Sequence, residues 1–239
     1  WRRGWHGFLR FPALRIGRMA VLGAGGGAAG VGVWRGITPL LVAGGIALYV
    51  AALDAVEPVA QELDHPDRCE SYPQEAGVLY LREAVAPVVL MLLVGIVGCV
   101  AAFALSGGQV VALEVGGALL LPAVLCAVGA ALISVVQGPP PLFSGTDSLL
   151  PPEVAGLRAM LRALVPPAIA IVGFLPLLAG RHPAHGLTPA GAVGSVGPEV
   201  LVLALLVGLW VRYRERMAAW WRSAMDEARD ARRGPAGAR

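Results

Sequence analysis

The sequence predicts an all-α, polytopic membrane protein with six transmembrane helices and both termini cytoplasmic. Hydrophobic residues make up 56% of the chain and charged residues 15%, where a soluble domain has about half and about a quarter. The mean hydropathy is +0.68, and several apolar runs reach the ~20 residues that carry a helix across a bilayer core. The 32 glycines suit close helix packing in lipid. Strands are not expected, because no stretch alternates with period two.

The net charge of +3 and the pI near 9.1 do not point to nucleic acid. All 19 basic residues are arginine, and they gather at the ends of apolar runs, which is a topology signal. Cys69, Cys99 and Cys126 are an odd set without metal-ligand spacing, so they read as small packing residues rather than a disulfide framework or a zinc site. A start at Trp1 rather than Met, without the shape of a signal peptide, predicts a piece of a longer protein.

The elements follow in chain order. Trp1 to Arg18 mixes Trp1, Trp5, Phe8 and Phe11 with five arginines, which predicts a helix lying in the membrane interface; a basic leader without structure is the alternative. Ile16 to Val33 is the first span. Its Gly25, Gly27 and Gly30 satisfy GxGxxG, but no βαβ unit surrounds them, so a helix-packing face is preferred to a nucleotide site. A turn at Trp34-Arg35-Gly36 leads to the second span, Ile37 to Leu53.

Asp54 to Glu83 is polar and carries eight acids: Asp54, Glu57, Glu62, Asp64, Asp67, Glu70, Glu75 and Glu83. Val85 to Leu105 is the third span, Ser-Gly-Gly-Gln a tight turn, and Val111 to Val136 the fourth span, with Pro122 as a kink that neighbouring helices accommodate. Glu114 sits about one turn inside that span. An intramembrane acid is a functional candidate by default, although one so near the end also reaches the headgroups.

Gln137 to Glu153 is a proline-rich connector that cannot continue a helix. Val154 to Val165 carries Arg158 and Arg162 four apart and is expected in the interface, before a fifth span that enters near Pro166 and Pro167 and ends around Ala179. Arg181 to Gly197 reads as a Gly/Pro-rich segment dipping into the membrane. Its His182 and His185 lack a third ligand and read as loop residues rather than a metal site. Pro198 and Glu199 are expected to open the sixth span, with Trp210, Tyr213, Trp220 and Trp221 at the far interface. The chain thus divides into a transmembrane domain, 1–211, with a cytoplasmic loop at 54–84, and an Arg-rich cytoplasmic tail, 212–239.

With six spans and both ends inside, 17 arginines fall on the cytoplasmic side and only Arg35 and Arg181 outside, a strong bias by the positive-inside rule. The acidic loop is then cytoplasmic. A short helix from Pro58 to before Pro66, held between two spans, would pass on displacement where a floppy loop would absorb it. The alternative is a solvated loop whose acids keep it out of the membrane.

The layout resembles the membrane subunit of type-2 ABC exporters: an interfacial helix before the first span, the main cytoplasmic loop between the second and third, and a Gly/Pro-rich outer segment before the sixth. LDAVEPVAQELDHPDR (53–68), followed by a proline and LYLRE (79–83), is similar to the corresponding loop of actinobacterial permeases. The all-Arg, Ala/Gly-rich composition agrees with a high-GC source. The resemblance implies that Glu57, Gln61, Glu62, Asp64, His65 and Arg68 lie at or near the surface that docks a separate cytoplasmic ATPase. It also implies a second permease copy or half, membrane lipid around the bundle, a plasma-membrane location, and ATP and Mg²⁺ bound on the partner. The glycine-rich first span and the long connector between the fourth and fifth spans depart from the family pattern.

The chain has no lysine and so no Walker A motif, and no catalytic residue or cofactor is expected in it. The spans carry almost no ionisable groups, which argues against a carrier driven by ions and suits an apolar or amphipathic cargo. Two other readings stand beside it: a membrane scaffold or accessory subunit, and a Mg²⁺-dependent transferase acting on lipid pyrophosphates. The transferase would use the acids as hard ligands but lacks a second facing Asp-rich cluster.

Overall fold

The computed structural model describes residues 12–63, 75–137, 152–184 and 186–233. Among these residues every regular element is a helix: α1 (Ala13–Trp34), α2 (Leu40–Ala55), α3 (Glu57–Leu63), α4 (Ala76–Glu83), α5 (Val85–Leu105), α6 (Val110–Gln137), α7 (Pro152–Val172), α8 (Pro176–Arg181) and α9 (Pro189–Arg233). Five stretches of the described residues are long and apolar enough to cross a membrane: Ala13–Trp34, Gly77–Leu105, Val110–Gln137, Gly156–Arg181 and Pro189–Trp221. The expected second span, α2, is apolar but only 16 residues long, or about 24 Å.

The helix α6 forms the centre of the bundle. Of its most apolar window 67% is buried, against 22% to 39% for the others, and it packs against α2, α5, α7 and α9. Its stretch Cys126-Ala-Val-Gly-Ala-Ala-Leu explains this: small side chains on all sides let several neighbours approach at once. Pro122 lies inside α6 as expected, which frees the carbonyl one turn earlier from its usual donor.

The helix α1 packs on α2 and α5. Its glycines form a packing face, as expected, but the contacting pair is Gly23 and Gly27. A Cβ on Gly27 would collide with the carbonyl of Gly98 on α5, and one on Gly23 with the carbonyl of Val94. Of the GxGxxG set, Gly25 faces open space and Gly30 has only Leu177 nearby. The motif lies inside a continuous helix with no strand before it, which removes the strand-to-helix turn that a dinucleotide site requires.

Several boundaries differ from expectation. Residues 1–11 of the expected interfacial helix lie outside the described residues; Ala13 to Arg18 are the first turns of α1 itself. The chain does not turn at Pro166-Pro167, which sit inside α7. The helix breaks instead at Gly173–Leu175, where Phe174 N–H bonds the Ile171 carbonyl at 2.9 Å and Leu175 N–H the Val172 carbonyl at 3.0 Å. The ladder tightens to i→i+3 there, and Pro176 then starts α8 from its first turn.

The sixth span opens nine residues before Pro198, which is inside α9. Thr188 accepts the Gly191 N–H on its hydroxyl at 3.1 Å and Pro189 follows it, so the N-cap and N1 proline are at Thr188-Pro189. The residues expected to dip into the membrane, from Pro189 to Gly197, are the opening turns of this helix. At its other end α9 continues through residue 211 to Arg233 with no break at the expected domain boundary.

The turns gather at two ends of the bundle. At the Gly36 end, Gly36, Gly107 and Gly108 take φ of +106°, +77° and +82°, conformations that glycine adopts without strain. Arg35 Nη2 donates to the Leu105 carbonyl at 2.9 Å, satisfying the C-terminus of α5. Arg181 lies beside Gly36, so the two arginines expected outside share this end. The opposite end carries Asp54, α3 and α4.

Candidate functional site

Two arrangements stand out, a charge ladder at the Asp54 end and an apolar cavity inside the bundle. The ladder joins α1 to α2 and α3. Arg18 donates from Nε to Asp54 Oδ2 at 2.8 Å and from Nη2 to Asp54 Oδ1, a two-pronged pair. Arg15 pairs with Glu57 one turn further out. Asp54 is only 6% exposed and is the buried charged residue of the described core. Two N–H donors on one carboxylate fix both distance and orientation.

Local sequence explains the ladder. Arg15 and Arg18 are three apart on α1, and Asp54 and Glu57 are three apart at the end of α2 and start of α3. Residues three apart lie on one helix face, so two adjacent antiparallel helices align two opposite-charge pairs. The chain turns from α2 into α3 within one residue, Val56, which is fully buried together with Val59 at 2%. Five buried or paired positions among residues 54–59, Asp54, Ala55, Val56, Glu57 and Val59, leave α3 little freedom to move independently of α1 and α2.

Of the residues expected on a docking surface, Glu57 is turned toward Arg15, and Gln61 lies exposed one turn along α3, with its amide 3.4 Å from Glu57. Glu62 lies on α3. Asp64, His65 and Arg68 lie outside the described residues, as does Cys69. Glu114 is exposed near the start of α6, at the Gly36 end, apart from the ladder and not itself in the cavity lining, although Ala112 and Val115 on either side of it are. His182 is exposed, and His185 lies outside the described residues. Arg158 and Arg162 lie on α7, in the same continuous helix as Pro166 and Pro167.

The other side of this end is closed by α4 and α9. Arg216 pairs with Glu75, and Gly77 packs so closely on the Arg212 backbone that a Cβ would overlap it. Arg214 donates to the Val136 carbonyl at the last turn of α6, again an arginine satisfying a helix C-terminus.

The cavity has a volume of about 110 Å³. Both α1 and α6 pack on α5 but make little contact with one another, and the cavity fills the wedge between them. Gly26 and Gly30 form one wall, Gly98 and Cys99 the floor, and Val115 and Leu119 the other wall; Phe174 and Leu177 close the back. Ser106 and the exposed Gln109 lie at its Gly36 end, and Trp34 lines it beside Arg35.

Sequence reasoning missed both arrangements. The ladder had a signal in the matched three-residue spacings of opposite charge. The cavity had none, because it depends on which glycines face α5 and which face the gap. Among the described residues no group of three His, Cys, Asp or Glu side chains is placed to hold a metal ion.

These features define a helical, membrane-embedded protein, with its long apolar helices around α6 and its charged groups at the ends. No family model matches the chain, and neither a curated protein nor a solved structure matches it.

Proposed function

We infer that the chain is the permease subunit of an ABC-type exporter in the plasma membrane, paired with a second copy or half. A separate cytoplasmic ATPase supplies the energy. In this reading α2 is the sixth membrane pass beside the five longer helices, both termini are cytoplasmic, and the acidic 54–84 segment faces the cytoplasm.

The observation that carries the reading is the ladder. A coupling element must transmit displacement to the spans, and a short helix held by charge to one span and by buried valines to the bundle is suited to that task. Glu57 then serves the transmission side of α3, paired with Arg15. Gln61, Glu62, Asp64, His65 and Arg68 remain the residues for the docking side.

The pairing also weighs against a Mg²⁺-dependent transferase. Asp54 and Glu57, the first acids of the segment, are each neutralised by an arginine, and a carboxylate holding a guanidinium is a poor ligand for a hard cation.

The test is co-purification of the intact chain with cytoplasmic ATPases, against a Gln61→Ala/Glu62→Ala/Asp64→Ala variant shown to be folded. The reading expects an ATPase bound to the first and lost from the second. An intact, folded chain that captures no ATPase contradicts it and favours a membrane scaffold.

A further inference from the structure

The cavity between α1, α5 and α6 goes beyond the exporter reading and stands whether or not an ATPase docks. Its walls come from α1, α2, α5 and α6, with Phe174 and Leu177 across the back, so it is a partly open pocket between helices rather than a stripe of small residues on one helix surface. No charged side chain lines it, and the hydroxyl and amide side chains of its lining, Ser106 and Gln109, are at one end.

Size limits the occupant. A closed apolar cavity of about 150 Å³ holds a benzene ring, and the inner space of this partly open pocket, at about 110 Å³, is narrower than that. A segment of one hydrocarbon chain matches it. The surroundings also match, because many apolar side chains of these helices, such as Val21, Leu93 and Val100, are exposed on the outside of the bundle where lipid chains would lie.

The rim specifies the other end of the molecule. Arg35 follows Trp34, which lines the cavity, and its Nη2 is held on the Leu105 carbonyl, next to Ser106. That bond fixes a guanidinium beside the polar end of the cavity while using one of its five N–H donors. A guanidinium at a headgroup level favours a carboxylate or a phosphate.

We propose that the cavity binds one hydrocarbon chain of an anionic amphiphile, with its head at the rim beside Arg35. A free fatty acid and an anionic phospholipid share this chemistry, and the two are told apart by the probe.

The experiment uses the full chain in phosphatidylcholine nanodiscs doped with diazirine-labelled palmitic acid or, separately, diazirine-labelled phosphatidylglycerol, with cross-links mapped by mass spectrometry. Cross-links are expected at Cys99 and Ala102, both of which line the cavity. At Gly30, which lines the cavity, an added Cβ has only the Leu177 side chain nearby, whereas at Gly25 on the same helix it meets nothing. Gly30→Leu should lower the yield at Cys99 by about tenfold, and Gly25→Leu should leave it unchanged.

Arg35→Gln should weaken labelling by palmitic acid more than by a diazirine-labelled hexadecanol, which lacks the charge. Labelling by palmitic acid alone identifies a free single-chain amphiphile; labelling by both identifies a chain of a bilayer lipid. If Gly30→Leu does not fold, competition by unlabelled palmitic acid on the unaltered chain replaces it. The proposal is overturned if Cys99 and Ala102 are labelled no more than the outward-facing Leu93 and Val100, or if neither Gly30→Leu nor the competitor lowers their yield.

Discussion

The helix α1 makes two contacts of opposite kinds. Against α5 it presents Gly23 and Gly27, so that backbone meets backbone; against α2 and α3 it presents Arg15 and Arg18, so that charge meets charge. The first contact depends on shape at short range and cannot slide without separating the helices. The second depends on two ion pairs at the end of the bundle, the Arg15–Glu57 pair partly exposed and the Arg18–Asp54 pair anchored on a buried carboxylate. The comparison teaches that backbone packing holds α1 on α5, and that the ladder is the place where displacement of α3 would reach α1.

The largest expected effect breaks the shape contact. Gly27→Val places a branched side chain against the Gly98 carbonyl, and overpacking of this kind costs about 3 kcal/mol. Thermal unfolding in detergent, followed by circular dichroism, should show a clear loss of stability, while Gly25→Ala, whose Cβ meets nothing, should not. If both variants melt alike, backbone contact does not hold α1 on α5.

Breaking the charge contact comes next. Asp54→Asn leaves the Arg18 guanidinium without its buried carboxylate and should destabilise the chain more than Glu57→Gln, because Asp54 is 6% exposed while the Glu57 side chain is 35% exposed. For the more exposed carboxylate, Glu57→Gln should cost roughly 0.5 kcal/mol, and less in high salt. Equal losses in chemical denaturation would show that burial of Asp54 does not set the strength of the ladder.

The smallest effect sharpens the contrast from a third side. Tyr49 on α2 and Ser134 on α6 share a hydrogen bond of 2.7 Å between their hydroxyls. Tyr49→Phe should cost about 0.6 kcal/mol, the usual size of such a bond between membrane helices. A loss comparable to that of Gly27→Val would mean that polar contacts, not backbone packing, dominate the interior.

Much of the helical layout was legible because it follows from length and apolarity. Val85 to Leu105 is found as read, Val111 to Val136 extends by one residue at each end, and Ser106-Gly-Gly-Gln is the turn between them. Proline misled the reading in both later spans. A proline can lie inside a membrane helix when neighbours accommodate the freed carbonyl, so Pro166, Pro167 and Pro198 did not mark ends. The true start of α9 carried the same local signal at Thr188-Pro189, nine residues earlier.

The candidate sites were less legible because both depend on the angular position of residues around α1. Gly25, Gly27 and Gly30 look alike in sequence, yet one faces open space, one faces α5 and one faces the cavity. Arg15 and Arg18 read as part of an interfacial segment until α2 was placed beside them. Their spacing matched Asp54 and Glu57, but only the antiparallel packing of α1 on α2 shows that the two pairs meet.

The most direct test of the proposed function measures ATPase activity and transport in a complex of the chain with any ATPase that co-purifies with it, with the ladder intact, broken by Asp54→Asn, and rebuilt by exchanging Arg18→Asp with Asp54→Arg. The account predicts that the ATPase stays bound in all three, that the broken ladder uncouples hydrolysis from movement of cargo, and that the exchanged pair restores a substantial part of the coupling. Coupling that survives Asp54→Asn undiminished would contradict it.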